Sequence, residues 1–104
     1  MTNQFKAPRG TSDVLPSEHP YWTLVVNSAK KIAGLFGYLR IETPIFEDAS
    51  LFSRSVGEMS EVIDKQVYQF SDRGGDLMVL RPEGTAGVCR AYLQAGMHNA
   101  SQPV

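Results

Sequence analysis

Apolar residues spaced three and four positions apart form the clearest pattern in the first third of the chain. They are Trp22, Val25, Ala29, Ile32, Ala33 and Phe36. This spacing lines them up along one side of a helix, so we predict a helix over residues 18–36. Ser17 before it is the predicted N-cap, and Gly37 after it has the backbone freedom that a helix end needs. Residues 1–16, which include two prolines and a glycine, are predicted to form an extended arm.

Three later stretches have the composition of β-strands. Residues 38–43 are rich in aromatic and β-branched side chains and stop at Pro44. Because proline cannot donate a ladder hydrogen bond, we predict a strand for which Pro44 marks an edge or the end of pairing, with Ile45 and Phe46 continuing in extended form. Residues 66–71 alternate between two faces, and a turn signal at residues 72–75 joins them to the apolar run 77–80. This arrangement predicts a β-hairpin.

Two further helices are predicted, and they complete the order of elements. Residues 49–55 fit a short helix that buries Leu51 and Phe52, and residues 56–65 fit a polar loop. A second polar loop leads into a helix over about 85–95. Since helices and strands do not alternate regularly, we predict an α+β fold with an antiparallel or mixed sheet and helices packed on it.

Composition and charge restrict the setting in which this fold operates. The 104 residues correspond to about one small domain, and the net charge of −1 provides no basic footprint for nucleic acid. The longest apolar runs are too short to cross a bilayer, and the first residues lack the apolar region of a secretory signal. The single cysteine, Cys89, fits a reducing compartment, so we expect a cytoplasmic protein with Cys89 buried on the apolar side of the last helix.

The segment Leu80–Thr85 is the most informative polar stretch. Pro82 and Gly84 restrict the backbone around Glu83. The carboxylate of Glu83 and the hydroxyl of Thr85, two residues apart, could together bind an ammonium group, and a charge-assisted hydrogen bond of that kind contributes roughly 1.5–3 kcal/mol. The alternative is a simple helix-capping turn, in which Thr85 caps the last helix and Glu83 is solvated.

Other polar residues give weaker signals. Arg9 lies in the glycine turn Pro8–Asp13, which is either a surface arm or a place where arginine meets a phosphate. His19 and His98 have no cysteine or acidic partner at ligand spacing, so no metal site is predicted. The first helix and the strand before Pro44 are either ordinary core elements or an edge that builds a two-fold dimer.

Four stretches, taken together, resemble the histidyl-tRNA synthetase family. Residues 8–13 resemble its N-terminal signature, and residues 36–47 resemble the first signature motif of class II synthetases in its histidyl form. Residues 68–75 and 80–92 resemble the family's hairpin and amino-acid-binding loop. The likeness covers nearly the whole chain, in order and at family-like distances.

The resemblance implies that residues 1–104 are the N-terminal part of a class II catalytic domain. The second and third motifs, the histidine-specific arginine motif and the anticodon-binding domain would lie beyond Val104. No catalytic residue is therefore expected within these residues, and the piece alone is expected to be inactive. The implied substrates are histidine, ATP with Mg²⁺, and tRNA(His). The residues implied to act are Glu83 and Thr85 on the histidine α-amino group, Tyr38, Ile41 and Pro44 in a homodimer interface, and Arg9 as a possible tRNA contact.

Two other readings share these motifs. The regulatory subunit of ATP phosphoribosyltransferase is similar in the same stretch, but its loop tends to carry aspartate where this chain has Glu83. The Glu83-Gly84-Thr85 sequence therefore favours the synthetase. A non-catalytic module that binds uncharged tRNA or a protein partner is the second alternative.

Overall fold

The chain divides into two units, the first ending at Leu39 and the second running from Arg40 to Val104. The computed structural model describes residues 4–55 and 66–104, so the predicted loop over 56–65 lies outside the described residues. Helices and a three-stranded antiparallel sheet make up the described part, which confirms the α+β class. None of the described helices is both long enough and apolar enough to cross a membrane.

The first unit contains one long helix, α1 (His19–Leu35), within a residue of the predicted bounds at each end. Its N-cap is Glu18 and not Ser17, because a turn closed by the Glu18 N–H on the Leu15 carbonyl at 2.9 Å precedes the helix. The Glu18 carboxylate accepts a hydrogen bond from the Leu15 N–H at 3.1 Å. Pro20 falls in the first turn, where a missing N–H costs no internal hydrogen bond.

Gly37 ends α1, as predicted. Its φ of 80° lies in the left-handed region, which costs other residues roughly 1–2 kcal/mol. The Gly37 N–H donates to the Gly34 carbonyl at 3.1 Å, and the Tyr38 N–H donates to the Ala33 carbonyl at 3.0 Å. This pair of bonds is a Schellman motif, so the end of α1 is fixed by its own backbone.

The apolar face of α1 is not covered within the described part of the first unit. Trp22, Val25 and Ile32 are all more than half exposed, and no residue of α1 is buried. The predicted helix is confirmed, but residues 4–39 do not supply the packing partner that such an apolar face requires.

The second unit is built on a small sheet of strands β1 (Phe46–Asp48), β2 (Gln69–Ser71) and β3 (Leu77–Leu80). The strand order is β1-β3-β2 and both pairings are antiparallel. The predicted hairpin is confirmed, although its first strand begins at Gln69. Asp72 closes the turn, since its N–H donates to the Asp76 carbonyl and its side chain accepts the Asp76 N–H, both at 2.9 Å.

The predicted strand over residues 38–43 was wrong, because the strand begins at Phe46, beyond Pro44. The partner of β1 is β3, and their register pairs Phe46 with Leu80. One further backbone bond, from the Arg81 N–H to the Ile45 carbonyl at 3.0 Å, extends the pairing towards Pro44. Pro44 therefore lies at the start of pairing and not at its end.

The core of the second unit is small. Phe52, on helix α2 (Ala49–Ser55), and Val79, at the centre of β3, are almost fully buried, while Leu51 is half-buried. The predicted short helix with Phe52 inside is therefore confirmed. Glu47, opposite Val79 on β1, is also buried, which places a carboxylate in the core.

Helix α3 (Thr85–Gln94) follows β3 and ends before Gly96, whose φ of 69° confirms the predicted cap. A 3-10 turn at Met97–Asn99 comes next. Gly87 is the buried residue of α3, whereas Cys89 is exposed, so the predicted burial of Cys89 was wrong. Successive helix residues are rotated by about 100°, so Cys89 lies roughly 160° from Gly87 and about 100° from Arg90, pointing away from the packed face.

Candidate functional site

The loop between β3 and α3 places Glu83 directly before the first turn of α3. Its Oε2 accepts the Thr85 N–H at 2.6 Å, and its Oε1 accepts the Ala86 N–H at 3.0 Å. Gly84 is the N-cap residue and Thr85 is the first residue of the helix. Glu83 therefore satisfies two of the N–H groups that a helix leaves unpaired at its start.

These hydrogen bonds affect the charge of Glu83. The Ala86 N–H lowers the pKa of the Glu83 carboxyl below its usual value; desolvation, the next largest effect, opposes this, and the backbone and side chain of Thr85 lower the pKa further. The carboxylate is therefore ionised at neutral pH. It is also exposed, and a carboxylate has about four acceptor positions, so the bonds to α3 leave capacity for an ammonium group.

This geometry combines the two readings of the loop. The helix start is capped by a side chain, but that side chain is Glu83 and not Thr85. The Glu83 carboxylate contacts the backbone of Thr85, and the joint binding of an ammonium group by the two side chains stays a prediction. The cap also holds the carboxylate in one orientation, which a freely solvated glutamate would not have.

Arg81 attaches the start of this loop to the segment before β1. Its Nη1 donates to the Thr43 carbonyl at 3.0 Å, to the Thr43 hydroxyl at 3.2 Å and to the Pro44 carbonyl at 3.5 Å. The Arg81 backbone N–H bonds to Ile45 in the same segment. In the described chain, the carbonyls of Thr43 and Pro44 have no partner in a strand. The Arg81 guanidinium supplies their hydrogen bonds.

Arg90 attaches α3 to β1 on the other side of the loop. Its Nη2 donates to Oε1 of Glu47 at 2.9 Å, and its Nε lies 2.9 Å from Oε2, an ion-pair distance without hydrogen-bond alignment. Its Nη1 also donates to Oε1 of Gln94 at 2.7 Å. A Cβ on Gly87 would lie 3.2 Å from Oε1 of Glu47, so the helix approaches the strand closely there.

Sequence reasoning did not single out Arg81, Arg90 or Glu47. One signal was present: Glu47 is a charged residue beside the apolar pair Ile45-Phe46, and a carboxylate inside a sheet needs a partner. The sequence does not indicate which arginine supplies that partner.

The remaining candidates are at the surface. Tyr38 is 71% exposed in the first unit, and Ile41 and Pro44 are exposed in the second. Arg9 is exposed in a turn closed by the Thr11 N–H on the Pro8 carbonyl at 3.0 Å. The described residues contain no group of three histidine, cysteine or acidic side chains placed to hold a metal ion.

The family model of histidyl-tRNA synthetase matches residues 10–103 of this chain. The chain belongs to the histidyl-tRNA synthetase family. Among curated family members, the histidine–tRNA ligase of Dehalococcoides mccartyi is 56% identical over 100 residues, which cover 96% of this chain and 24% of that protein. The histidine–tRNA ligase of Natranaerobius thermophilus is 48% identical over 99 residues, covering 95% of this chain and 24% of that protein.

Solved structures of histidyl-tRNA synthetases share the fold. The apo enzyme of S. aureus superimposes with a TM-score of 0.82 at 37% identity, covering 97% of this chain and 23% of that one. A Bacillus halodurans protein, described as an ATP phosphoribosyltransferase regulatory subunit/histidyl-tRNA synthetase, gives a TM-score of 0.77 at 28% identity, covering 100% of this chain and 26% of that one. The chain thus spans about a quarter of the length of the synthetases that it matches.

Proposed function

We propose that residues 1–104 are the N-terminal part of the catalytic domain of a histidine–tRNA ligase. The whole protein would activate histidine with ATP to histidyl-adenylate and transfer it to tRNA(His). The observation that carries this proposal is the ionised Glu83 carboxylate, held beside Thr85 at the start of α3, in a chain of the histidyl-tRNA synthetase family. The first class II motif and the amino-acid-binding loop lie inside these residues. The second and third motifs and the anticodon-binding domain lie outside them.

Glu83 and Thr85 hold the α-amino group of histidine in this proposal. The ammonium group is attracted to an ionised carboxylate, and a charge-assisted hydrogen bond to it contributes roughly 1.5–3 kcal/mol. Because Glu83 is fixed by two backbone N–H groups, the ammonium is bound in one orientation. Orientation is what this chain supplies to the reaction, since attack on the ATP α-phosphate requires the histidine carboxylate to be correctly placed.

ATP and Mg²⁺ are assigned to parts of the whole protein outside residues 1–104. The described side chains offer no group of three metal ligands, and we assign no catalytic residue to this chain. Mg²⁺, when bound with ATP, would offset phosphate charge. The isolated piece is therefore expected to be inactive.

A homodimer and a tRNA contact complete the proposal. The apolar face of α1 and the exposed side chains of Tyr38, Ile41 and Pro44 support a partner subunit, since exposed apolar patches mark interaction surfaces. Arg9, exposed on its turn, is the candidate contact to a tRNA phosphate. The cytoplasm is the proposed compartment, supported by the single cysteine.

The second candidate function is that of a regulatory subunit of ATP phosphoribosyltransferase. It is favoured by the fold shared with the Bacillus halodurans protein, whose description carries both names. The Glu83-Gly84-Thr85 sequence favours the synthetase.

Histidine-dependent exchange between ATP and pyrophosphate, measured on the full-length protein, tests the choice. Exchange with histidine and with no other amino acid is the expected result. A folded full-length protein that gives no exchange would refute the ligase and favour the regulatory subunit. The 104-residue piece, assayed in parallel, is expected to give none.

A further inference from the structure

The loop that carries Glu83 is attached at both ends to the same short stretch of chain, residues 43–47. Before the loop, the Arg81 guanidinium bonds to Thr43 and Pro44. After the loop, Arg90 holds Glu47. The two arginines therefore fix the two ends of the loop to strand β1 and the residues that lead into it.

The attachment through Arg90 determines where Glu83 lies relative to the sheet. Both oxygens of Glu83 are bonded to the first turn of α3, so this carboxylate moves with the helix. Within the described residues, Arg90 and the close approach of Gly87 connect α3 to Glu47 of β1. Arg90 follows Thr85, the first residue of α3, by five positions, about 7.5 Å along the helix axis. A tilt of α3 about Arg90 therefore displaces Glu83, which is bonded to the first turn.

The chemistry of the Arg90–Glu47 ion pair fits a role in positioning α3 better than a role in stability alone. A buried ion pair is often no more stabilising than apolar side chains of similar volume. The Arg90 guanidinium, however, meets Glu47 at two points, an Nη2 hydrogen bond to Oε1 and an Nε ion-pair contact to Oε2, which restricts the carboxylate more than an apolar contact does. Glu47 is buried, so water cannot easily replace Arg90 as the partner of its carboxylate. Loss of Arg90 would leave a buried, unpaired charge.

We propose that Arg90 and Arg81 are positioning residues for recognition of the α-amino group, Arg90 through Glu47 and Arg81 through Thr43 and Pro44. This inference rests on the proposed ligase function. Neither arginine contacts the substrate in it. Each fixes one end of the loop, so that Glu83 and Thr85 meet the ammonium group without rearrangement.

The test is the histidine KM in ATP–pyrophosphate exchange by the full-length protein. Arg90→Lys keeps the charge and loses the two-point contact with Glu47, and Arg81→Met removes the other attachment. Each is expected to raise the histidine KM about tenfold and to leave the ATP KM within about twofold, because only the amino-acid loop is displaced. Arg73→Met, on the exposed hairpin turn, is the matched control and should leave both constants unchanged.

The double variant Glu47→Gln/Arg90→Met separates positioning from folding. It removes the buried charge of Glu47 together with its half-buried partner, so its thermal midpoint should lie above that of Arg90→Met alone. On the positioning proposal its histidine KM stays about tenfold raised. Because KM does not depend on the fraction of folded enzyme, it remains readable when a variant folds poorly.

The outcomes distinguish the two levels of inference. Raised histidine KM values in the arginine variants support positioning. Wild-type exchange with unchanged histidine KM in these variants, whatever happens to kcat, would overturn positioning and leave the ligase intact. Absence of histidine-dependent exchange in the wild-type protein would overturn both.

Discussion

The two units of the chain hold their long helices by different means. In the first unit, α1 ends in backbone hydrogen bonds around Gly37, and its apolar face is exposed. In the second unit, α3 is connected to a strand by the Arg90–Glu47 ion pair and by the close approach of Gly87. Hydrophobic periodicity is enough to specify that a helix such as α1 exists. The place of α3 depends on which charged residues meet, and that placement determines where the candidate site lies.

The largest expected effect comes from breaking the connection in the second unit. Arg90→Met leaves Glu47 buried without its partner and should cost roughly 3 kcal/mol of unfolding free energy. Arg40→Met removes an ion pair with Glu42 whose side chains are both more than 70% exposed, and should cost less than about 1 kcal/mol. Thermal unfolding of the full-length variants measures both. Equal losses would mean that burial does not distinguish the two pairs.

A smaller effect, on activity, is expected from the carboxylates that precede the two helices. Glu83→Ala in the full-length protein should lower kcat/KM for histidine by about 10- to 150-fold, the equivalent of losing a charge-assisted hydrogen bond of roughly 1.5–3 kcal/mol. Glu18→Ala removes a carboxylate whose one hydrogen bond among residues 4–55 and 66–104 is to the Leu15 N–H, and should change kcat/KM less than about twofold. An unchanged kcat/KM in Glu83→Ala would remove Glu83 from the site.

Two helical glycines allow a finer comparison. Alanine normally stabilises a helix interior relative to glycine by up to about 1 kcal/mol. Gly34→Ala in α1 should show that gain, since a Cβ there would meet nothing within 4 Å. Gly87→Ala in α3 should lose it, because its Cβ would lie 3.2 Å from Oε1 of Glu47 and 3.4 Å from Oγ1 of Thr43. Thermal midpoints that rise equally in both variants would show that α3 does not approach β1 so closely.

The smallest expected effect is a dependence on pH. The helix N–H groups lower the pKa of Glu83, so its charged form stabilises the folded state. That contribution, below about 1 kcal/mol for an exposed group, is complete above the ordinary pKa of 4.5 and is lost as pH falls through the lowered value. The difference in thermal midpoint between wild type and Glu83→Gln should therefore be constant from neutral pH down to about 5 and shrink below 4.5. A difference that grew on acidification would contradict this assignment.

The sequence predicts the features that depend on neighbouring residues, and it does not predict those that depend on contacts between distant residues. Helix α1, the hairpin and α3 were predictable because their signals are local: apolar spacing, the Asp72–Gly75 turn and the glycines after each helix. The position of β1 was not, because it is set by pairing with β3, far along the chain. Cys89 was misjudged for a similar reason, since the packed face of α3 is defined by Arg90 and its distant partner.

The candidate site divides in the same way. Glu83 and Thr85 were found because they lie two residues apart in a rigid loop. The attachments of that loop were not found, because the Arg81–Thr43 and Arg90–Glu47 contacts join residues 38 and 43 positions apart. No window of local sequence contains both partners.

That separation also sets an order in time. A ribosome adds about 5–20 residues per second, so Arg90 is made roughly 2–9 s after Glu47, 43 positions earlier. β3, the middle strand, is also made last of the three, although the β2–β3 hairpin can close within about 10 μs once it is complete. Before Arg90 has been synthesised, the Glu47 carboxylate has no ion-pair partner and is more stable in water. Burial of β1 against an apolar surface is therefore disfavoured at that stage. The charge of Glu47 therefore links burial of β1 to the synthesis of Arg90, and we expect β1 to stay hydrated until then.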